Sequence, residues 1–191
     1  KKMKVVHPIR DKKQLEAVKT YLRGKNKRDY LLFMVGISSA LRISDILNLK
    51  VKHVWNGKKP LDFIEVNEKK TGKYKRLPIT PNLSKAVKDY MYDYPEKIPE
   101  DFLFTSRRGI NQPISRQYAA SMLNEACDMV GIKESFGTHG MRKTWGYWAF
   151  QKGISLDYIC IALNHSSVAE TKRYLGILQE DLDNLYLEVN L

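Results

Sequence analysis

The chain has 191 residues, 43% of them hydrophobic, enough to bury a sizeable core within one domain. Its 33 Lys and Arg against 21 Asp and Glu leave a charge of +12 at pH 7, which favours a polyanionic partner; DNA, RNA and an anionic membrane surface all satisfy it. No run of about 18 apolar residues reads as a membrane span, and the start KKMKVVHPIRD lacks the apolar stretch of a signal peptide. Cys127 and Cys160 lie far apart within apolar helical patterns, which argues against a disulfide framework or a zinc ribbon and for a reducing, intracellular setting.

Residues 1–10 read as a basic linker or N-terminal arm, and 11–191 as a single domain. Asp11 caps a helix to about Arg23, with Leu15, Val18 and Leu22 at helical spacing and Gly24 as its stop. A second helix starts near Lys27; it is apolar almost all round, which predicts a core helix, and a break near Ser38 precedes a short amphipathic helix. Arg42 falls at that break. Residues 62–67 and 74–79 are short alternating runs around EKKTGK, with Gly72 for the turn, and predict a β-hairpin whose tip carries Lys69, Lys70 and Lys73. Thr80-Pro81 opens a helix to about Tyr92. Ser115 caps another to Val130 before Gly131, with Ala119, Met122, Leu123 and Ala126 inward. Thr138 caps one through Gln151, Ser155 starts a further one, and short helices follow at about 168–175 and 179–188. The fold class expected is α+β and mainly helical, a bundle-like domain with one small antiparallel sheet.

Three segments carry residues with chemistry. In THGMRKTWGYW, His139 and Arg142 lie three apart, on one helix face, and can meet one anion. In LNHSSVAETKRYL, His165 precedes a helical Tyr174 by nine residues. In SSALRISDILNL, Arg42 stands among Leu41, Ile43 and Ile46, where an unpaired guanidinium is costly to bury, so it needs an anionic partner or a route to solvent. Asp45 is one such partner, or alternatively orients the guanidinium for a ligand. Each feature alone has an ordinary structural explanation: a basic surface, a packing tyrosine, an ion pair.

Taken in order, the A-L-R-I-S-D-I-L box, the K-T-G hairpin at Lys70, the H-G-M-R box and L-N-H-S-S followed by T-K-R-Y resemble the motif set of tyrosine recombinases, the phage integrase family, over about residues 10 to 176. Two departures are visible. Asn164 stands where the family commonly has Gly, and Asn tolerates the left-handed backbone conformation better than most residues; Met141 stands where Leu is common, a nearly volume-conserving change.

The resemblance implies cleavage and rejoining of DNA strands without metal or ATP. Tyr174 would attack a phosphodiester to give a 3′-phosphotyrosyl intermediate. Its hydroxyl has an ordinary pKa of about 10 and needs help at neutral pH. Arg42 and Arg142 would clamp the non-bridging oxygens, His139 would accept the proton and His165 would donate a hydrogen bond. Lys70 at the hairpin tip would protonate the departing 5′ oxygen, its pKa lowered by the two arginines, with Lys69 and Lys73 as rivals. Lys69, Lys73, Arg107, Arg108, Arg116 and Lys143 read as DNA contacts, or equally as solvated surface charge. The resemblance further implies double-stranded DNA as partner, a tetramer of identical chains on it, no small-molecule substrate or cofactor, and a cytoplasmic, bacterial or phage-encoded protein of mobile elements. A type IB topoisomerase-like enzyme and an inactive DNA-binding regulator of the same fold are the alternatives. The regulator predicts missing catalytic residues, and none is missing.

Overall fold

The computed structural model describes residues 6–177 and 179–189. Residues 1–5 of the expected basic arm and 190–191 of the expected domain lie outside the described residues. The chain falls into two compact units, one up to Trp145 and one from Gly146 onward. The first holds α1 (Lys12–Lys25), α2 (Lys27–Ser39), α3 (Ile43–Leu47), β1 (Phe63–Asn67), β2 (Tyr74–Pro78), α4 (Pro81–Asp93) and α5 (Arg116–Met129). Helix α6 (Gly137–Gln151) begins in the first unit and ends in the second, which continues with α7 (Leu156–Leu163), α8 (Val168–Leu175) and α9 (Gln179–Glu188). The class is mainly helical α+β, with β1 and β2 paired antiparallel.

Helix α2 is the centre of the first unit. Leu31, Leu32, Phe33, Met34 and Val35 are all buried, five consecutive positions that cover every face of a helix. Helices α1, α3, α4 and α5 pack around it. At about 1.5–3 kcal/mol for each fully buried aliphatic or aromatic side chain, this helix contributes heavily to the hydrophobic core. Ala119, Met122, Leu123 and Ala126 of α5 face inward as their spacing predicts. Residues 6–10 lie along the first unit: His7 N–H donates to the Ser135 carbonyl, Ile9 is 2% exposed, and its N–H donates to Thr144 Oγ1.

Two local expectations change. The first helix does not stop at Gly24, which continues the helix; Asn26 ends it instead and also caps α2, its side chain accepting from the N–H groups of Arg28 and Asp29. Helix α6 starts at Gly137 rather than being capped by Thr138: Gly137 takes φ +53° for a sharp turn, Asn124 accepts its N–H at 2.9 Å, and Thr138 sits buried inside the first turn. Arg28 and Asp29, at the start of α2, are both buried, in a network with the Tyr118 hydroxyl and the Thr105 carbonyl.

In the second unit α7 packs on α8. Gly146 makes room for Leu175, since a Cβ there would come within 2.5 Å of it. Asn164 ends α7 at φ +53°, so the left-handed turn survives the replacement of Gly.

Candidate active site

Period-two alternation decides the inner face of the hairpin. Ile64 and Val66 of β1 point inward and Glu68, one residue past the strand, keeps their parity; in β2, Lys75 and Leu77 do the same while Tyr74 and Arg76 point out. The register pairs Val66 with Lys75, so Glu68 is diagonal to Lys75 on that face. The Glu68 side chain is 0% exposed, its carboxylate 2.9 Å from Arg42 Nη1 and 3.1 Å from Lys75 Nζ. Thr71, in the turn, donates its hydroxyl to the same carboxylate at 2.8 Å. The anionic partner that Arg42 needs is therefore Glu68. Asp45 instead accepts the backbone N–H of Lys69 through Oδ1, which ties the hairpin turn to α3.

Arg42 itself is the residue before α3, directly after a turn in which Ala40 adopts φ +54°. Arg142, 4% exposed on α6, donates from Nη1 to the Ala40 carbonyl at 2.7 Å. The two arginines, a hundred positions apart in the chain, are thus fixed on one turn. Ala40 in the left-handed region carries strain of about 1–2 kcal/mol, a cost often met at functional sites. One turn before Arg142 on α6, His139 keeps a large accessible surface while Arg116 Nη2 lies 3.2 Å from its Nε2. The packing of atoms around the ring, then the charges of Arg116, Arg142, Lys143 and Arg42, hold the imidazole below its usual pKa of 6.5. The shift favours the neutral ring at pH 7, the form able to accept a proton.

The hairpin lysines separate. Lys69, Lys70 and Lys73 are exposed at the tip. The lysine that faces the arginines is Lys75, which the sequence reading missed: burial, outweighing Glu68 and helped by Arg142 and Arg42, pushes its ammonium below the usual 10.5. The strand alternation contained the signal, because Lys75 shares its face with Leu77. Glu68 was missed for the same reason. Among the expected DNA contacts, Arg107 and Arg108 are exposed in the loop before α5 and Arg116 stands beside His139, whereas Lys143 turns its Nζ to the Val6 carbonyl at 2.9 Å.

In the second unit His165 and Tyr174 come together. Their rings meet edge to face with centroids 4.8 Å apart. Residue 165 follows the left-handed Asn164, and its Nδ1 lies 3.0 Å from Thr171 Oγ1 on α8, one turn before Tyr174. Ser167 caps α8, and Glu170 accepts from both the N–H and the hydroxyl of Ser166, which fixes the loop that carries His165.

The model of the phage integrase family matches residues 9–180. The chain belongs to that family. A probable integrase/recombinase, YoeC of Bacillus subtilis, is 43% identical over 175 residues, 92% of each chain. The tyrosine recombinase XerA of Pyrococcus furiosus is 28% identical; the match covers 86% of this chain and 55% of that protein, so this phage integrase family chain spans about half of that longer relative. Among solved structures, XerA recombinase superposes with a TM-score of 0.79 at 19% identity, over 100% of this chain and 66% of that one. A lambda integrase tetramer bound to a Holliday junction gives a TM-score of 0.65 at 17% identity, over 91% of this chain and 49% of that one. These structural likenesses show the fold of the family. Among the described residues no helix is long and apolar enough to cross a membrane.

Proposed function

We propose that this chain is the catalytic domain of a site-specific DNA recombinase or integrase, residues 11–191 with an N-terminal arm, in which Tyr174 attacks a phosphodiester of double-stranded DNA and Arg42, His139, Arg142 and His165 serve that reaction. The phenolic oxygen forms a bond to phosphorus as the bond to the 5′ oxygen breaks; the phenol proton passes to His139, and a lysine protonates the departing oxygen. Reversal with another strand's 5′ hydroxyl rejoins the DNA, the bond energy being kept in the phosphotyrosyl link. Working as a tetramer on DNA in the cytoplasm is part of the same proposal, supported by the tetrameric state of the lambda integrase structure.

The observation that carries the reading is the anchoring of Arg142 on the turn from which Arg42 springs. Two guanidinium groups held on one rigid turn are preorganised donors for the extra charge of a pentacoordinate phosphorus, and stabilisation of this kind commonly lowers a reaction barrier more than any other single effect. A neutral imidazole beside them supplies the base.

The test is incubation with a nicked duplex that traps the cleaved strand. The wild-type chain yields a covalent protein–DNA adduct that survives denaturant, and Tyr174→Phe yields none while still binding DNA. An adduct in the Phe variant moves the nucleophile elsewhere, and no adduct from the wild type leaves the DNA-binding regulator as the better reading.

A further inference from the structure

We propose that Glu68 is a positioning residue of the strand-cleaving site: its buried carboxylate holds Arg42 and Lys75 in the directions from which they meet the DNA phosphate. The inference rests on the proposed function and adds a residue to it.

The Glu68 side chain is 0% exposed and sits between two cations, Arg42 at 2.9 Å and Lys75 at 3.1 Å, whose side chains keep 18% and 13% of their surface. Thr71 pins the carboxylate from the turn with a 2.8 Å hydrogen bond. The fold does not need a charge here, because an apolar side chain of similar volume commonly stabilises a protein as well as a buried ion pair does. What the carboxylate supplies is direction. Arg42 and Lys75 are long, flexible side chains, and ordering each of them costs side-chain entropy. With Glu68 in place that cost is met during folding, before DNA arrives. Two cations around one carboxylate also leave the spot with a net positive charge, as an incoming phosphate requires. The bond to Glu68 runs through Nη1 of a guanidinium that carries five N–H donors.

The charge and the positioning predict opposite effects when Glu68 is neutralised. Removing a negative charge from a DNA-facing cluster, by field alone, tightens DNA binding and leaves cleavage equal or faster. Losing the positioning slows cleavage. The experiment uses the full chain of wild type, Glu68→Gln and Glu68→Asp on the nicked duplex, measuring single-turnover adduct formation at saturating DNA and, separately, the dissociation constant; circular dichroism checks the fold. Glu68→Gln is expected to slow adduct formation about a hundredfold, the scale of a misplaced reacting group, with binding unchanged or tighter. Glu68→Asp, which keeps the charge on a shorter arm, is expected to recover part of the rate. Glu68→Gln cleaving at the wild-type rate overturns the proposal, and so does a loss confined to the dissociation constant. If Glu68→Gln does not fold, Glu68→Asp decides: a reduced rate with intact binding supports positioning, and the wild-type rate refutes it. A wild-type chain that forms no adduct sinks the recombinase reading, and this proposal with it, a result distinct from every outcome in which the wild type cleaves.

Discussion

His139 sits at the surface, yet its neighbours are Arg116, Arg142, Lys143 and Arg42. Its pKa is expected below 6.5 in the DNA-free chain, read by the NMR titration of its ring proton, and Arg116→Ala is expected to raise it by removing the cation 3.2 Å away. A value above 6.5 would remove the case for His139 as proton acceptor. The sign of the stability effect follows. With the folded pKa below the unfolded one, the unfolded chain binds the proton more readily, so the neutral ring's contribution is present above about pH 6.5 and is lost as pH falls toward the folded-state value. The hairpin poses a second question at this scale, namely which lysine protonates the departing 5′ oxygen. The family resemblance gives Lys70, and the geometry favours Lys75, inward-facing and with a lowered pKa. Replacing the bridging 5′ oxygen by sulfur, a better leaving group, makes protonation unnecessary. Cleavage by an alanine variant of the true general acid is then rescued, while Arg42→Ala and Arg142→Ala, proposed to act on non-bridging oxygens, are expected to stay slow. Rescue of Lys75→Ala but not of Lys70→Ala assigns the role to Lys75, and the reverse result assigns it to Lys70.

Where α2 and α6 approach one another, a glycine faces a methionine. A Cβ on Gly36 would lie 2.2 Å from Met141 Sδ and 2.9 Å from Met141 Cβ. Because Cβ is fixed by the backbone, rotation of the methionine alone cannot relieve the contact. Gly36→Ala is therefore expected to destabilise the chain by about 1–3 kcal/mol, the usual cost of overpacking, despite alanine's better helix propensity. Thermal denaturation measures it. Met141→Ala keeps its own Cβ and is expected to return only part of that loss in the double variant. This approach also matters for the site, since α6 carries His139 and Arg142 while α2 leads into the turn that carries Ala40 and Arg42. At the hairpin the element-scale rule was legible and went unused: the alternation that marked β1 and β2 as strands also placed Glu68 and Lys75 on the inner face.

At the scale of the whole molecule the charge of +12 predicts the form of DNA binding more securely than its target. The logarithm of affinity is expected to fall linearly with the logarithm of salt concentration, by a slope on the order of 0.9 for each phosphate contacted, with little discrimination among sequences. A titration between low and moderate salt measures the slope, and a nearly flat response would place the basic surface away from DNA. By itself the sequence determined the class and the existence and order of the helices and the hairpin, and it singled out Arg42, His139, Arg142, His165 and Tyr174 as the candidate site. These are properties of local spacing: helical and strand periods, caps such as Asp11, Thr80 and Ser115, and short boxes that can be compared with a family. Tertiary structure alone decided partners. That Glu68 and not Asp45 faces Arg42, that Arg142 grips the carbonyl of Ala40, that Lys143 turns to Val6 and that Arg28 is buried with Asp29 and Tyr118 are contacts between residues distant in the chain or on faces that no local period fixes. A charged side chain on a flexible stem takes whichever partner folding brings within reach, and the cost of leaving a buried charge unpaired then makes that choice binding.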